Sequence, residues 1–156
     1  MANTTSYKKI IEKEFREVFI QKLHPDCQVK QEKIHLKWGG EFEHDAVVRK
    51  DGELIAVYAL SCSEYITESG NGGSGKYKKI QSDILMMLGT DCDKKVLVFT
   101  GATMKAQVDR QKVLGRLPPD IETMLYELSD SHSTLVKSVS ADSVKEVTPN
   151  SAYKIA

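Results

Sequence analysis

The chain has 156 residues, 40% of them apolar, which is enough to bury the core of one domain. Its 22 basic and 22 acidic residues give a formal net charge of zero, so composition excludes a whole-molecule attraction to nucleic acids or anionic membranes. Three scattered cysteines without CxxC spacing argue against a disulfide framework and against a zinc site.

Signals for secretion and membrane insertion are missing from the sequence. The first residues, MANTTSYKK, lack the apolar core of a signal peptide, and no apolar run approaches the roughly 18 residues of a membrane span. We therefore expect a soluble, cytoplasmic protein that has no membrane partner.

The N-terminal part of the chain predicts a helix over residues 5–23. Ile11, Phe15 and Val18 recur at helical spacing and form its apolar stripe. Pro25 follows the last helical residue, and proline is unfavourable inside a helix.

Three strands are predicted next, over residues 28–38, 42–49 and 54–62. Two glycine-containing turns separate them, and the second turn is an Asp-Gly pair, which is a strong hairpin signal. The third strand is apolar on both faces, as is typical of a central strand. Trp38, at the end of the first strand, is expected to cover the core beside the glycine turn.

The second half of the chain predicts alternating helices and strands after a polar, glycine-rich connection over residues 63–75. The predicted elements are a helix over 76–88, a strand over 96–100, a helix over 102–114 and a strand over 121–128. The fold class is therefore α/β, with a central mixed sheet flanked by helices. Residues 1–130 are expected to form one domain, and residues 131–156 a C-terminal tail or appended element.

Residues 41–61, EFEHDAVVRKDGELIAVYALS, place Asp45 on a strand that turns tightly into an apolar strand. This layout, together with the αβββαβ order of the first six elements, resembles the PD-(D/E)XK nuclease superfamily, which is restriction endonuclease-like. In that superfamily an Asp ends one strand and a Glu-x-Lys or Asp-x-Lys triplet lies on the next. The acids hold Mg²⁺, and the Lys helps to activate or position the attacking water. The resemblance implies an αβββαβ core followed by an extra helix and strand.

The triplet is degenerate in this chain. Tyr58 and Leu60 occupy the usual acid and Lys positions, and neither a phenol nor an isobutyl group can replace those charged groups around Mg²⁺. A shift of one residue towards the N-terminus places Val57 and Ala59 there, and a shift of one towards the C-terminus places Ala59 and Ser61 there, so no register restores the triplet. Asp45 alone is thus a weak metal ligand.

Members of the superfamily often add a Glu from the first helix. At 100° per residue, Glu14 lies nearest to the apolar stripe of the predicted helix, so it is the candidate for a second acid beside Asp45. Other groups that could have migrated to the site are Glu64, Lys76 and Lys79. His44 is next to Asp45, but adjacent strand residues are expected to point to opposite faces.

Lys76, Lys78 and Lys79 could contact a phosphate backbone at the start of a helix. They follow GNGGSGK, residues 70–76, which matches part of a phosphate-binding loop. Tyr77, however, stands where that loop requires Ser or Thr. A flexible glycine-rich connection is therefore favoured over nucleotide binding.

These observations favour a nuclease-fold protein without the usual catalytic triplet. It would be a nucleic-acid-binding or scaffolding domain that serves as an accessory part of a restriction or repair system. Its expected partner is DNA, another protein or a second copy of the chain, and no cofactor is expected. One alternative is an active Mg²⁺-dependent endonuclease that uses Asp45 and Glu14 with migrated residues. A second is a protein-interaction module that binds no nucleic acid. Whether the protein is an enzyme stays open, with the non-catalytic interpretation favoured.

Overall fold

The structure is a computed structural model that describes residues 4–66 and 73–128. The chain divides into two compact units. One is Phe15–Tyr126, and the other comprises the chain on either side of it, whose described part includes helix α1 (Thr4–Glu14). The predicted tail over residues 131–156, and residues 67–72 of the predicted glycine-rich connection, lie outside the described residues.

The unit Phe15–Tyr126 contains a five-stranded mixed sheet flanked by helices, which confirms the predicted α/β class. Its elements in chain order are a π-helical segment (Phe15–Ile20), α2 (Gln21–Leu23), β1 (Gln28–His35), β2 (Glu41–Lys50), β3 (Glu53–Ser61), α3 (Ser74–Leu88), β4 (Lys94–Phe99), α4 (Ala102–Val113) and β5 (Ile121–Leu125). The predicted helices and strands are all present, and the first and last strands end three residues earlier than predicted.

The spatial order of the strands is the same as their order along the chain, β1-β2-β3-β4-β5. The first three strands are joined by short turns and pair antiparallel. The last three are joined by α3 and α4 and pair parallel, because a parallel neighbour requires a long crossover. β1 and β5 are therefore the two edges of the sheet.

The main hydrophobic core lies where α3 and α4 pack on one face of the sheet. Its buried members come from both helices and from all five strands: Ile34, Val47, Val57, Ala59, Ile80, Ile84, Met87, Leu97, Phe99, Met104, Val108 and Ile121. Side chains alternate along a strand, so Val57 and Ala59 join this core while Tyr58 lies on the opposite face, against His24.

The predicted apolar stripe of the N-terminal helix is wrong at Val18, which is 48% exposed. The segment that contains it is π-helical, so hydrogen bonds run from residue i to residue i+5 and each turn takes more residues than in an α-helix. The buried positions of the segment are accordingly Phe15 and Ile20, which are five residues apart.

The expectation that Trp38 covers the core is also wrong. Its side chain is 57% exposed, and its six-membered ring lies against Gly89, directly after α3. Most of the indole surface is therefore in solvent.

Candidate functional site

The pairing of β1 with β2 shifts in register beside Asp45. Lys30 lies opposite Val47, whereas Glu32 lies opposite His44, so two residues of advance along β1 correspond to three along β2. β2 therefore carries an extra residue between His44 and Val47. Such a bulge bends the strand and re-aims the side chains next to it.

The bulge explains why two adjacent side chains approach the same helix. His44 contacts Thr90, which closely follows α3, and Asp45 lines a cleft together with Lys79 of α3. The expectation that His44 and Asp45 point to opposite faces is therefore wrong, because it assumed a regular strand.

The Asp45 carboxylate is bonded to the main chain of β3. Its Oδ2 atom accepts a hydrogen bond from the Leu60 N–H at 2.8 Å, and the Asp45 carbonyl oxygen accepts one from the Arg16 guanidinium at 3.1 Å. Backbone pairing of β2 with β3 ends at Ala46 and Tyr58. The carboxylate thus provides an acceptor for β3 where the ladder between the two strands has ended.

A cleft of about 290 Å³ lies beside Asp45. It is lined by residues of β2, β3 and α3: Phe42, Glu43, Asp45, Ala59, Lys79, Ser82 and Asp83. The Lys79 ammonium lies 3.7 Å from the Asp83 carboxylate. Three carboxylates against one ammonium give the lining a net negative charge, so the cleft repels a phosphate unless a cation lies between them.

The residues of the cleft do not fit Mg²⁺, which prefers several oxygen ligands in near-octahedral geometry at about 2.0–2.1 Å. Among the described residues, no group of three or more His, Cys, Asp or Glu could hold a metal ion. Ala59 is the β3 residue whose side chain lines the cleft, and it brings only a methyl group. Oδ2 of Asp45 is already an acceptor for Leu60.

Tyr58 lies on the other face of the sheet. Its side chain is fully buried, and its hydroxyl oxygen lies 2.6 Å from Nε2 of His24. Burial, and then the charge of Glu122, raise the pKa of Tyr58 to about 12. Burial, and then the charge of Lys94, lower the pKa of His24. Near neutral pH the phenol and the imidazole are therefore both uncharged, and they share one hydrogen bond.

The acidic candidate Glu64 is bonded at the start of α4. Glu64 accepts hydrogen bonds from the N–H of Thr103, at 3.0 Å, and from the Thr103 hydroxyl, so its carboxylate caps the N-terminus of α4. A Cβ at Gly101 would come within 2.7 Å of that carboxylate, and a glycine is needed there for the approach. Glu14 is the last residue of α1, in the other unit, and is partly buried.

The three candidate lysines share α3 but differ in their surroundings. Lys79 lines the cleft and pairs with Asp83. Lys76 and Lys78 are exposed, and neither forms an ion pair within the part of the chain that the structure describes. The N-cap of α3 is Gly73, which makes no side-chain hydrogen bond to the helix.

His44 is a buried polar residue next to the site, and its side chain is 1% exposed. The Thr90 hydroxyl donates to the Met86 carbonyl at 2.9 Å, so it accepts from Nε2–H of His44, also at 2.9 Å. Nδ1 has no hydrogen-bond partner among the described residues. Burial lowers the pKa of His44 to about 4, so the imidazole is uncharged at neutral pH.

No family model, no curated protein and no solved structure matches this chain. Its relation to the PD-(D/E)XK superfamily therefore remains a proposal. None of the helices in the described residues is long and apolar enough to cross a membrane.

Proposed function

We propose that this chain is a PD-(D/E)XK-like domain that binds nucleic acid without cleaving it, as an accessory or scaffolding part of a restriction or repair system. The observation that carries the proposal is the bond from Leu60 N–H to the Asp45 carboxylate, beside the methyl group of Ala59. The cleft therefore lacks the set of oxygen ligands that would hold Mg²⁺ and polarise a phosphodiester.

Lys76 and Lys78 support a contact with a phosphate backbone. Both are exposed near the start of α3, where the positive end of the helix dipole adds to their charge. Since the net charge of the chain is zero and the cleft is acidic, the phosphates should lie at the start of the helix and outside the cleft. Such a contact neutralises only a few phosphates.

The test is binding of labelled duplex and single-stranded oligonucleotides across a salt series, measured by fluorescence anisotropy. Each phosphate contact contributes a log–log slope of about −0.9 on duplex DNA and about −0.7 on single strands. The double variant Lys76→Glu/Lys78→Glu should bind at least about ten-fold more weakly and lose about two contacts from the slope. Lys50→Glu makes the same Lys-to-Glu change once, and so half the total change in charge, at an exposed end of β2, and it is the control.

Two results would contradict the proposal. An equal loss of affinity in Lys50→Glu and in the double variant would contradict the assignment of phosphate binding to the start of α3. The failure of every oligonucleotide to bind would favour the protein-interaction module, in which partner recognition does not involve phosphate.

One observation favours a second candidate, an active Mg²⁺-dependent endonuclease. Lys79 and Asp83 of α3 line the same cleft as Asp45, so a helix could supply the Lys and the second acid that β3 lacks. Supercoiled DNA incubated with Mg²⁺ or Mn²⁺ tests this. Asp45→Asn keeps an oxygen acceptor for Leu60 N–H while removing the charge. Metal-dependent nicking that is lost in Asp45→Asn would replace the non-catalytic proposal, and intact plasmid with both metals supports it.

A further inference from the structure

Trp38 packs against the end of α3 although most of its side chain is exposed. Its six-membered ring lies so close to Gly89 that a Cβ there would come within 2.5 Å of a ring carbon. The preceding residue, Lys37, donates its backbone N–H to the Gly89 carbonyl oxygen at 2.7 Å. The hairpin that carries Trp38 is thereby fixed to the end of α3, and the indole is held against a backbone with no side chain.

The turn that follows Trp38 is closed by backbone hydrogen bonds and consists of two glycines without side chains. Leu36 donates its N–H to the Gly40 carbonyl oxygen at 2.8 Å, and Gly39 donates to the Leu36 carbonyl oxygen at 2.9 Å. Gly39 has a φ of +100°, which favours glycine, and a Cβ at Gly39 or Gly40 would meet nothing within 4 Å. No side chain of the turn therefore stands between the indole and an incoming flat ligand.

We propose that Trp38 is a stacking platform for an unpaired nucleobase, with Lys37 contacting a neighbouring phosphate. The inference rests on the proposed nucleic-acid binding and deepens it, because it assigns single-stranded segments as the preferred ligand. Bases in a duplex are already stacked on each other and do not offer a free face. An exposed aromatic ring beside a cation is the combination that binds single strands with little sequence preference.

The geometry also sets a length requirement. Gly89 is thirteen residues after Lys76, and at about 1.5 Å per residue the two ends of α3 are about 20 Å apart. At about 3.4 Å per stacked nucleotide, a strand of about six nucleotides reaches from Trp38 to the lysines at the start of the helix. Affinity should therefore rise steeply with length up to about six nucleotides and slowly beyond it.

Trp38 is the only tryptophan in the chain, so its own fluorescence reports on the contact. Titration with oligo(dT) of twenty nucleotides should quench the emission, and a duplex of the same length should quench it much less. Labelled-oligonucleotide anisotropy provides the second measurement. Trp38→Ala should bind the single strand at least roughly ten-fold more weakly, while Trp38→Phe retains part of the affinity. Leu85→Ala, an exposed apolar truncation on α3, is the control and should bind as the unmodified chain does.

The outcomes separate this inference from the function on which it rests. If the single strand binds with full affinity to Trp38→Ala and does not quench the unmodified chain, the stacking platform is refuted while nucleic-acid binding stands. If neither single strand nor duplex binds the unmodified chain, both the stacking platform and the proposed nucleic-acid binding are refuted. A blue shift of the emission with rising protein concentration, without nucleic acid, would assign Trp38 to contact with a second copy of the chain and overturn the inference.

Discussion

Oδ2 of Asp45 accepts a hydrogen bond from the backbone N–H of Leu60 at 2.8 Å, at the point where β2 stops pairing with β3. Leu60 is 9% exposed, so its N–H has little access to water if the acceptor is removed. The acid that we propose as the remnant of a metal site is thus part of the hydrogen bonding of the sheet.

Removal of this acceptor should destabilise the fold. Asp45→Ala leaves a largely buried N–H without a partner and should lower the free energy of unfolding by about 1–3 kcal/mol. Asp45→Asn keeps an oxygen at the same place and should cost distinctly less. Urea denaturation of both variants checks the prediction, and equal losses would show that the bond contributes nothing.

Stability should fall in mild acid because of His44. The pKa of His44 is about 4 in the folded chain, against an ordinary value of 6.5. Between about pH 6.5 and 4 the unfolded chain therefore binds a proton that the folded chain does not bind. The stabilisation is complete above about pH 6.5 and is lost as the pH falls towards 4, by up to about 3 kcal/mol. His44→Gln should reduce the pH dependence in this window. An unchanged pH dependence in His44→Gln would contradict this account.

Two glycine-to-alanine substitutions at the two ends of α3 should have opposite effects. Gly75, in the first turn, has open space around a new Cβ, so Gly75→Ala should stabilise the chain by about 0.5–1 kcal/mol. In Gly89→Ala the Cβ would lie 2.5 Å from the Trp38 ring, so the ring must move. We expect lower stability and a changed tryptophan emission spectrum for Gly89→Ala alone. Thermal unfolding followed by fluorescence measures both, and an unshifted spectrum would argue against the contact.

The fold could be predicted from the sequence where the signals are local. Asp51 and Gly52 adopt φ values of 51° and 82°, as a two-residue hairpin requires, and the Asp-Gly pair had indicated that turn. The continuous apolar run of β3 likewise indicated a central strand. These features depend on neighbouring residues and on backbone preferences, which the sequence carries directly.

The site was harder to predict because it depends on register between strands. The bulge near Asp45 is visible only once Glu32 is paired with His44, and it alone brings Asp45 and His44 to the same side. The burial of His44 depends on Thr90, 46 residues later in the chain. The π-helical segment that exposes Val18 has no sequence signal that we can identify.

The cap on α4 should contribute measurably to stability. Glu64→Ala removes the acceptor for Thr103 N–H and the negative charge at the helix start, so it should cost about 0.5–2 kcal/mol. Thr103→Val removes the hydroxyl that accepts from Tyr65 N–H at 2.9 Å and from Ile66 N–H. Because both substitutions act on one network, the double variant should lose less than the sum of the two. Additive losses in chemical denaturation would contradict a shared network.

A carboxylate placed on β3 should create metal affinity only if it faces Asp45. Ala59 lines the cleft, so Ala59→Glu should add an oxygen ligand beside the existing acid. Tyr58→Glu would instead bury a carboxylate on the opposite face of the sheet, against His24, and should destabilise the chain without creating metal affinity. Thermal unfolding with and without Mn²⁺ separates the two, because a ligand stabilises only the state that binds it. The Mn²⁺-dependent shift of Ala59→Glu should disappear when Asp45→Asn is added. A shift found instead in Tyr58→Glu would mean that Tyr58, and not Ala59, faces Asp45, and that the register assigned to β2 and β3 is in error.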